Sequence, residues 1–283
     1  FNNNGIATLG SSGSIAITGI TNNAGTLNLN AAFTPVTNSI NSGTIAVTTT
    51  GGFTVPTIFT NTSGTITTTG FGQLNVSNPL TSGTVTNGGT TNVTNIFSPT
   101  SASNAGTIAI TTVSGNFTVP PGFSGAGTIS TASGGTLTVS NPLTSGTISN
   151  GGTTNVTSTF TPTNGNNQAG TINISNDGIF TAQFDINNAS GTINTMSNGV
   201  LNLFGGLING SLNNGATTNI TSGVYPISAN NENGTINIST ASGAFTVPSG
   251  FNNTNGTITT ASSGVLNVAN ALTTGTLTNA ATT

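Results

Sequence analysis

The chain has 283 residues, of which three are Asp or Glu and none is Lys, Arg or His, for a formal net charge of −3. Without a cation nothing can neutralise phosphates, which excludes nucleic-acid binding, and the apolar runs, such as Gly199 to Phe204, are far too short to span a membrane as a helix. Cysteine is absent as well, so there is no disulfide framework and no thiolate metal site.

From the N-terminal end onward the sequence restarts on Gly-Thr-Ile or a close variant, at Gly25, Gly43, Gly64, Gly83, Gly106, Gly127, Gly146, Gly170, Gly191, Gly210, Gly234, Gly256 and Gly275. A period near 21 residues is too short for a domain and describes one supersecondary turn that buries its apolar face against neighbouring copies. Each turn holds three short segments. In the first, Ile45 and Val47, Ile108 and Ile110, Ile172 and Ile174, and Ile236 and Ile238 alternate with small polar residues, the period of a strand. The second carries Phe53 and Val55, Phe117 and Val119, or Phe245 and Val247, replaced in other turns by Leu74 and Val76, Leu137 and Val139, or Leu266 and Val268. The third holds one large apolar residue per turn, Phe59, Leu80, Phe97, Phe123, Leu143, Phe160, Phe184, Leu207, Tyr225, Phe251 and Leu272, which predicts an unbroken internal stack. Gly- and Asn-rich corners lie between segments, and Pro56, Pro79 and Pro120 mark strand ends. Helical periodicity appears nowhere.

Three short strands per turn, each parallel to its copies above and below, predict an all-β, parallel β-solenoid of about 13 turns. Corners of variable length favour the right-handed form. Phe53, Phe117 and Phe245 are the predicted core. The restarts also cycle with a longer period of 63 to 65 residues, read as three turns: a long-strand turn, a short turn, and a long-loop turn opening at Gly83, Gly146 or Gly210. The long-loop turns share Asn-Gly-Gly/Ala-Thr-Thr-Asn-Val/Ile-Thr before an Asn-rich excursion such as Gly165 to Gln168, expected to project as a ledge about every 14 Å. The array reads as continuous over residues 1–283. Phe1 to Asn4 matches Phe251 to Asn255, and Gly275 to Thr283 opens a further turn, so a segment or stacking unit of a longer assembly is expected.

Stacking explains the missing charge. Equivalent residues recur about every 4.8 Å along a solenoid, where like charges repel by about 0.9 kcal/mol even in water, whereas Asn can hydrogen-bond to its own copy in the next coil. The charged residues are Asp177, Asp185 and Glu232. Asp177 and Asp185 fall on different segments of one turn and Glu232 three turns later, with no His, Cys, Lys or Arg to support them. No catalytic triad, metal site or cofactor site is therefore expected, and the three read as exposed residues of a chain that is not an enzyme. Outward Thr-x-Thr pairs at Thr65 and Thr67, Thr84 and Thr86, and Thr257 and Thr259 raise an ice-binding alternative, interrupted elsewhere by Ala46, Ala109, Ser130, Ser149, Asn173, Asn194 or Asn237. Sequons place Asn75, Asn92, Asn155 and Asn219 at outward positions.

The uncapped Gly-Thr-Ile-x-Ile and Gly-x-Phe-Thr-Val turns, rich in Asn, Thr and Gly, resemble the β-helical passengers of bacterial surface proteins, those of autotransporters and of filamentous-haemagglutinin-like exoproteins. The resemblance implies secretion and a structural or adhesive role. The expected function is the extracellular shaft of a filament, fibre or sheath whose partner is itself, with the stalk of a cell-surface adhesin as the alternative.

Overall fold

The computed structural model describes residues 1–10, 21–36, 38–48, 50–261 and 263–280. Residues 11–20 of the expected array and 281–283 of its last turn lie outside the described residues. Among the described residues there is no helix; short parallel strands stack as a β-solenoid of about 14 turns. The chain divides into two compact units, Phe1–Pro142 and Leu143–Thr283.

In the first unit the strands Ile6–Leu9, Thr26–Leu29, Thr44–Val47, Thr65–Thr68, Thr84–Asn87 and Ser101–Asn104 form one face, in that order. A second face runs through Ala32–Phe33, Gly52–Thr54, Gln73–Val76, Thr90–Val93, Thr107–Ile110 and Thr128–Thr131. The third begins with Asn2–Asn3, Asn22–Asn23, Ser39–Asn41 and Phe59–Thr60, and includes the stack Ile96–Phe97, Asn116–Thr118, Thr136–Val139. Alternation dictates the packing: in Thr44–Val47 the residues Ile45 and Val47 are buried while Thr44 and Ala46 are half-exposed. Phe53 and Phe117 are fully buried, as is Phe245 in the second unit.

Several corners between the first and second segments are four-residue β-turns. Gly51 N–H donates to Thr48 O and Gly72 N–H to Thr69 O, each at 2.9 Å, and in the second unit Gly199 N–H donates to Met196 O at 2.9 Å. Glycine is required there by close approach: a Cβ on Gly51 would stand 1.9 Å from the Leu29 carbonyl oxygen of the adjoining coil. The restarts Gly83 and Gly210 need glycine doubly. Their φ values are +78° and +63°, and a Cβ would stand 2.1 Å from the carbonyl oxygens of Asn61 and Asn188 respectively.

The register corrects the sequence reading at one point with wide consequences. The restart strands Thr44–Val47, Thr65–Thr68 and Thr84–Asn87 share the first face, but the next one, Thr107–Ile110, lies on the second. Thr84 pairs with Ser101 and Thr90 with Thr107, so this coil closes in 17 residues. The interval from Gly83 to Gly106 is thus one short coil plus a step onto the next face. The second unit repeats the device: Thr171–Ile174, Thr192–Thr195 and Ser211–Asn214 share a sheet, whereas Thr235–Ile238, Thr257–Thr260 and Thr276–Asn279 share another. Each 63–65-residue repeat therefore spans three and one-third turns rather than three.

The shortening of the coil is local. Two residues, Gly88 and Gly89, separate Thr84–Asn87 from Thr90–Val93, where four separate Thr44–Val47 from Gly52–Thr54 and Thr65–Thr68 from Gln73–Val76. The Asn-rich excursion consequently does not form the expected ledge. Ser101–Asn104 and Asn164–Asn166 are paired strands within their sheets, and Asn167 is fully buried. Nor does the third segment form a stack of its own. Phe97 stacks on second-segment Phe117 at 5.0 Å, and Phe160 on Phe180 at 4.9 Å, because the step places different segments on one face. Tyr225 is also not internal: it is 51% exposed, and its neighbour Val224 fills the core in register with Leu207.

Candidate functional site

What the step organises is a set of side-chain amide ladders. Asn recurs two or three residues before most restart glycines, and in the fold it turns inward at the corner. In the first unit Asn3 Nδ2 donates to Asn23 Oδ1 at 2.8 Å, Asn23 to Asn41 at 2.7 Å, and Asn41 to Asn61 at 2.7 Å. A second buried run in that unit goes from the Thr68 hydroxyl to Asn87 Oδ1 at 2.6 Å and from Asn87 Nδ2 to Asn104 Oδ1 at 2.7 Å. In the second unit Asn150 donates to Asn167 and Asn167 to Asn188, both at 2.6 Å, and Asn214 to Asn231 and Asn231 to Asn253, both at 2.6 Å. The second amide proton is used as well, since Asn23 Nδ2 also reaches Thr44 O at 2.9 Å and Asn214 Nδ2 reaches Thr235 O at 3.0 Å. These amides reach the carbonyls of the opening strand residues Thr44 and Thr235, and they tie each coil to the next.

Outward ladders run with the opposite polarity. Asn213 donates to Asn194 at 2.8 Å, Asn194 to Asn173 at 2.8 Å, and Asn173 to Asn155 at 3.0 Å. Asn237 donates to Asn219 at 2.9 Å and Asn219 to Asn202 at 2.8 Å, while Asn92 donates to Asn75 at 2.9 Å. The sequon residues Asn75, Asn92, Asn155 and Asn219 are thus half-buried ladder members. The Nδ2 of Asn92 and of Asn219, the atom that glycosylation would modify, is a ladder donor.

The three carboxylates do not converge. Asp177 is an exposed turn residue with φ +66°. Asp185, also exposed, accepts the Gly206 N–H at 2.6 Å, a contact within the coil stack. Glu232 borders a surface groove of about 250 Å³ with Asn194, Met196, Asn213 and Gly215, a lining that presents one carboxylate and no cation. Among the described residues no group of three His, Cys, Asp or Glu is placed to hold a metal ion. The Thr-x-Thr pairs extend over two coils, Thr65 and Thr67 against Thr84 and Thr86, before Ala46 on one side and Ser101 and Ser103 on the other interrupt them.

No protein family matches the chain, and no curated protein matches it. Among solved structures it is similar to the crystal structure of a TibC-catalysed hyper-glycosylated TibA fragment, at 16% identity, covering 92% of this chain and 100% of that one with a TM-score of 0.29. A likeness of that degree assigns no function.

Among the described residues two buried hydroxyls, those of Thr21 and Thr91, stand outside the ladders with no partner. Thr218 Oγ1 donates to Asn214 Oδ1 at 2.9 Å and Thr154 Oγ1 to Asn150 Oδ1 at 3.1 Å, but the equivalent Thr91 Oγ1 is buried with no partner. Thr91 lies in register between Leu74 and Ile108. Thr91→Val is therefore expected to stabilise the protein by about 1 kcal/mol, and Thr218→Val to destabilise it by about 1 kcal/mol. Denaturant unfolding of the two variants checks the opposite signs.

Proposed function

We propose that this chain is a structural, non-enzymatic, extracellular repeat protein that forms the shaft of a surface filament, fibre or sheath, stacking turn on turn and associating with copies of itself. The observation that carries this reading is the commitment of the interior amides to coil-to-coil contacts. Asn23, Asn41, Asn167 and Asn231 each accept from the coil before and donate to the coil after. Such chemistry serves stiffness along the stacking direction and leaves the outward faces neutral. Those faces, ranks of Thr and half-buried Asn, also favour a second reading, an adhesin stalk that carries a separate binding domain.

Electron microscopy of the purified protein separates the two. The shaft reading predicts polymers with an axial repeat near 16 Å, three and one-third coils at about 4.8 Å each, or a multiple of it. Separate particles at every concentration would overturn self-association and leave the stalk.

A further inference from the structure

The chain contains nine Asn-Gly pairs, the dipeptide in which a backbone nitrogen most readily reaches the preceding side-chain amide because glycine adds no Cβ to obstruct it. We infer that the fold singles out one of them, Asn164-Gly165, as a site of spontaneous covalent modification, while the buried ladder shields Asn87, Asn150 and Asn214.

The geometry differs sharply between the two groups. Asn164 is exposed, and the Gly165 N–H donates to the Oδ1 of Asn164 itself at 2.8 Å. That contact keeps the Gly165 nitrogen beside the side-chain carbonyl it would attack, once deprotonated, and polarises that carbonyl. Asn87, Asn150 and Asn214 are buried, and the amide nitrogen that would have to leave donates to Asn104, Asn167 and Asn231 respectively. Their attacking nitrogens are engaged elsewhere where the ladder pairs them: Gly88 N–H donates to Thr68 O and Gly215 N–H to Thr195 O, both at 2.8 Å. Other exposed pairs differ again: the Gly5 N–H donates not to Asn4 but to Asn3 Oδ1, at 3.3 Å. Gly199 N–H donates to Met196 O and Gly256 N–H to Asn253 O, both at 2.9 Å, and Asn209 and Asn233 sit at φ +66° and +61°.

In the reaction the deprotonated Gly165 nitrogen forms a bond to Asn164 Cγ, the bond from Cγ to the side-chain nitrogen breaks, and ammonia leaves with the transferred proton. Water then opens the cyclic imide at either carbonyl, yielding aspartate or isoaspartate. The product adds a negative charge to a chain that has three acidic residues. As isoaspartate it also inserts a methylene into the backbone of Asn164–Asn166, whose register is Thr147↔Asn164, Ile148↔Gly165 and Ser149↔Asn166. The adjoining Asn150 to Asn167 step of the interior ladder would loosen with it.

The test compares the full chain folded and unfolded in guanidinium, both incubated in mildly alkaline buffer, digested with chymotrypsin and read by peptide mass and fragmentation. Expected in the folded protein is conversion at Asn164 at least about tenfold faster than at Asn87, Asn150 or Asn214, and no slower than at Asn164 in the unfolded chain. Asn164→Gln should abolish the change in that peptide. Slower conversion at Asn164 when folded than when unfolded, or ladder residues converting as fast as Asn164 in the folded protein, would overturn the inference.

Discussion

Asn214→Asp should destabilise the second unit by about 3–5 kcal/mol at neutral pH, although it changes a single amide nitrogen to oxygen. Asn214 is 2% exposed. Its Oδ1 accepts from the Thr195 and Thr218 hydroxyls, and its Nδ2 donates to Asn231 Oδ1 at 2.6 Å and Thr235 O at 3.0 Å. A carboxylate keeps the accepted bonds but sets a charged oxygen against two acceptor oxygens with no proton between them. The protonated acid restores one donor, so the folded state raises the new carboxyl's pKa above its unfolded value. The penalty is therefore present at neutral pH and is relieved as pH falls through the folded-state pKa. The neighbouring Asn213→Asp supplies the control: this side chain faces outward, half-buried, and loses one bond to Asn194, an effect of about 1 kcal/mol. Denaturant unfolding at neutral and acidic pH measures both.

Phe117→Ala should cost about 3–5 kcal/mol, the range for truncating a fully buried aromatic. Phe117 is 0% exposed, stacks on Phe97 at 5.0 Å with 25° between planes, meets Phe123 at 5.6 Å and lies in register with Leu137. Neighbouring coils are locked to one another by their backbone ladders, so the cavity cannot collapse easily. Phe71 is 84% exposed, and Phe71→Ala should change stability by no more than about 0.5 kcal/mol. Thermal unfolding of the pair checks the contrast.

The strands, their inward residues and the glycine corners were legible because a period of two and a close-approach glycine leave direct marks in sequence. Ile45, Val47, Phe53 and Leu74 are buried where alternation puts them. The face step was not legible from the restarts, since Gly-Thr-Ile looks the same on whichever face it lies. Its mark was the alternation of Ser101-Ala102-Ser103-Asn104, whose sole apolar residue is too small to read as a strand. Stacking of Asn on Asn followed from the repeat, but its interior share did not. Asn23 and Asn167 look like ordinary corner residues, and only the fold shows that the corner turns their amides inward, where a donor and an acceptor from adjacent coils compensate the burial.

Disulfide trapping tests the stepped solenoid most directly, since the chain has no cysteine of its own. In the structure Thr86 pairs with Ser103 on one face, while Ala109, the residue three past the following restart, pairs with Asn92 on another. Neighbouring coils lie about 4.8 Å apart, within the Cα separation a disulfide needs. The double variant Thr86→Cys/Ser103→Cys is expected to oxidise readily in the folded protein and Thr86→Cys/Ala109→Cys is not. Ready closure of the second pair and none of the first would contradict the stepped solenoid, by showing that each restart stacks on the one before.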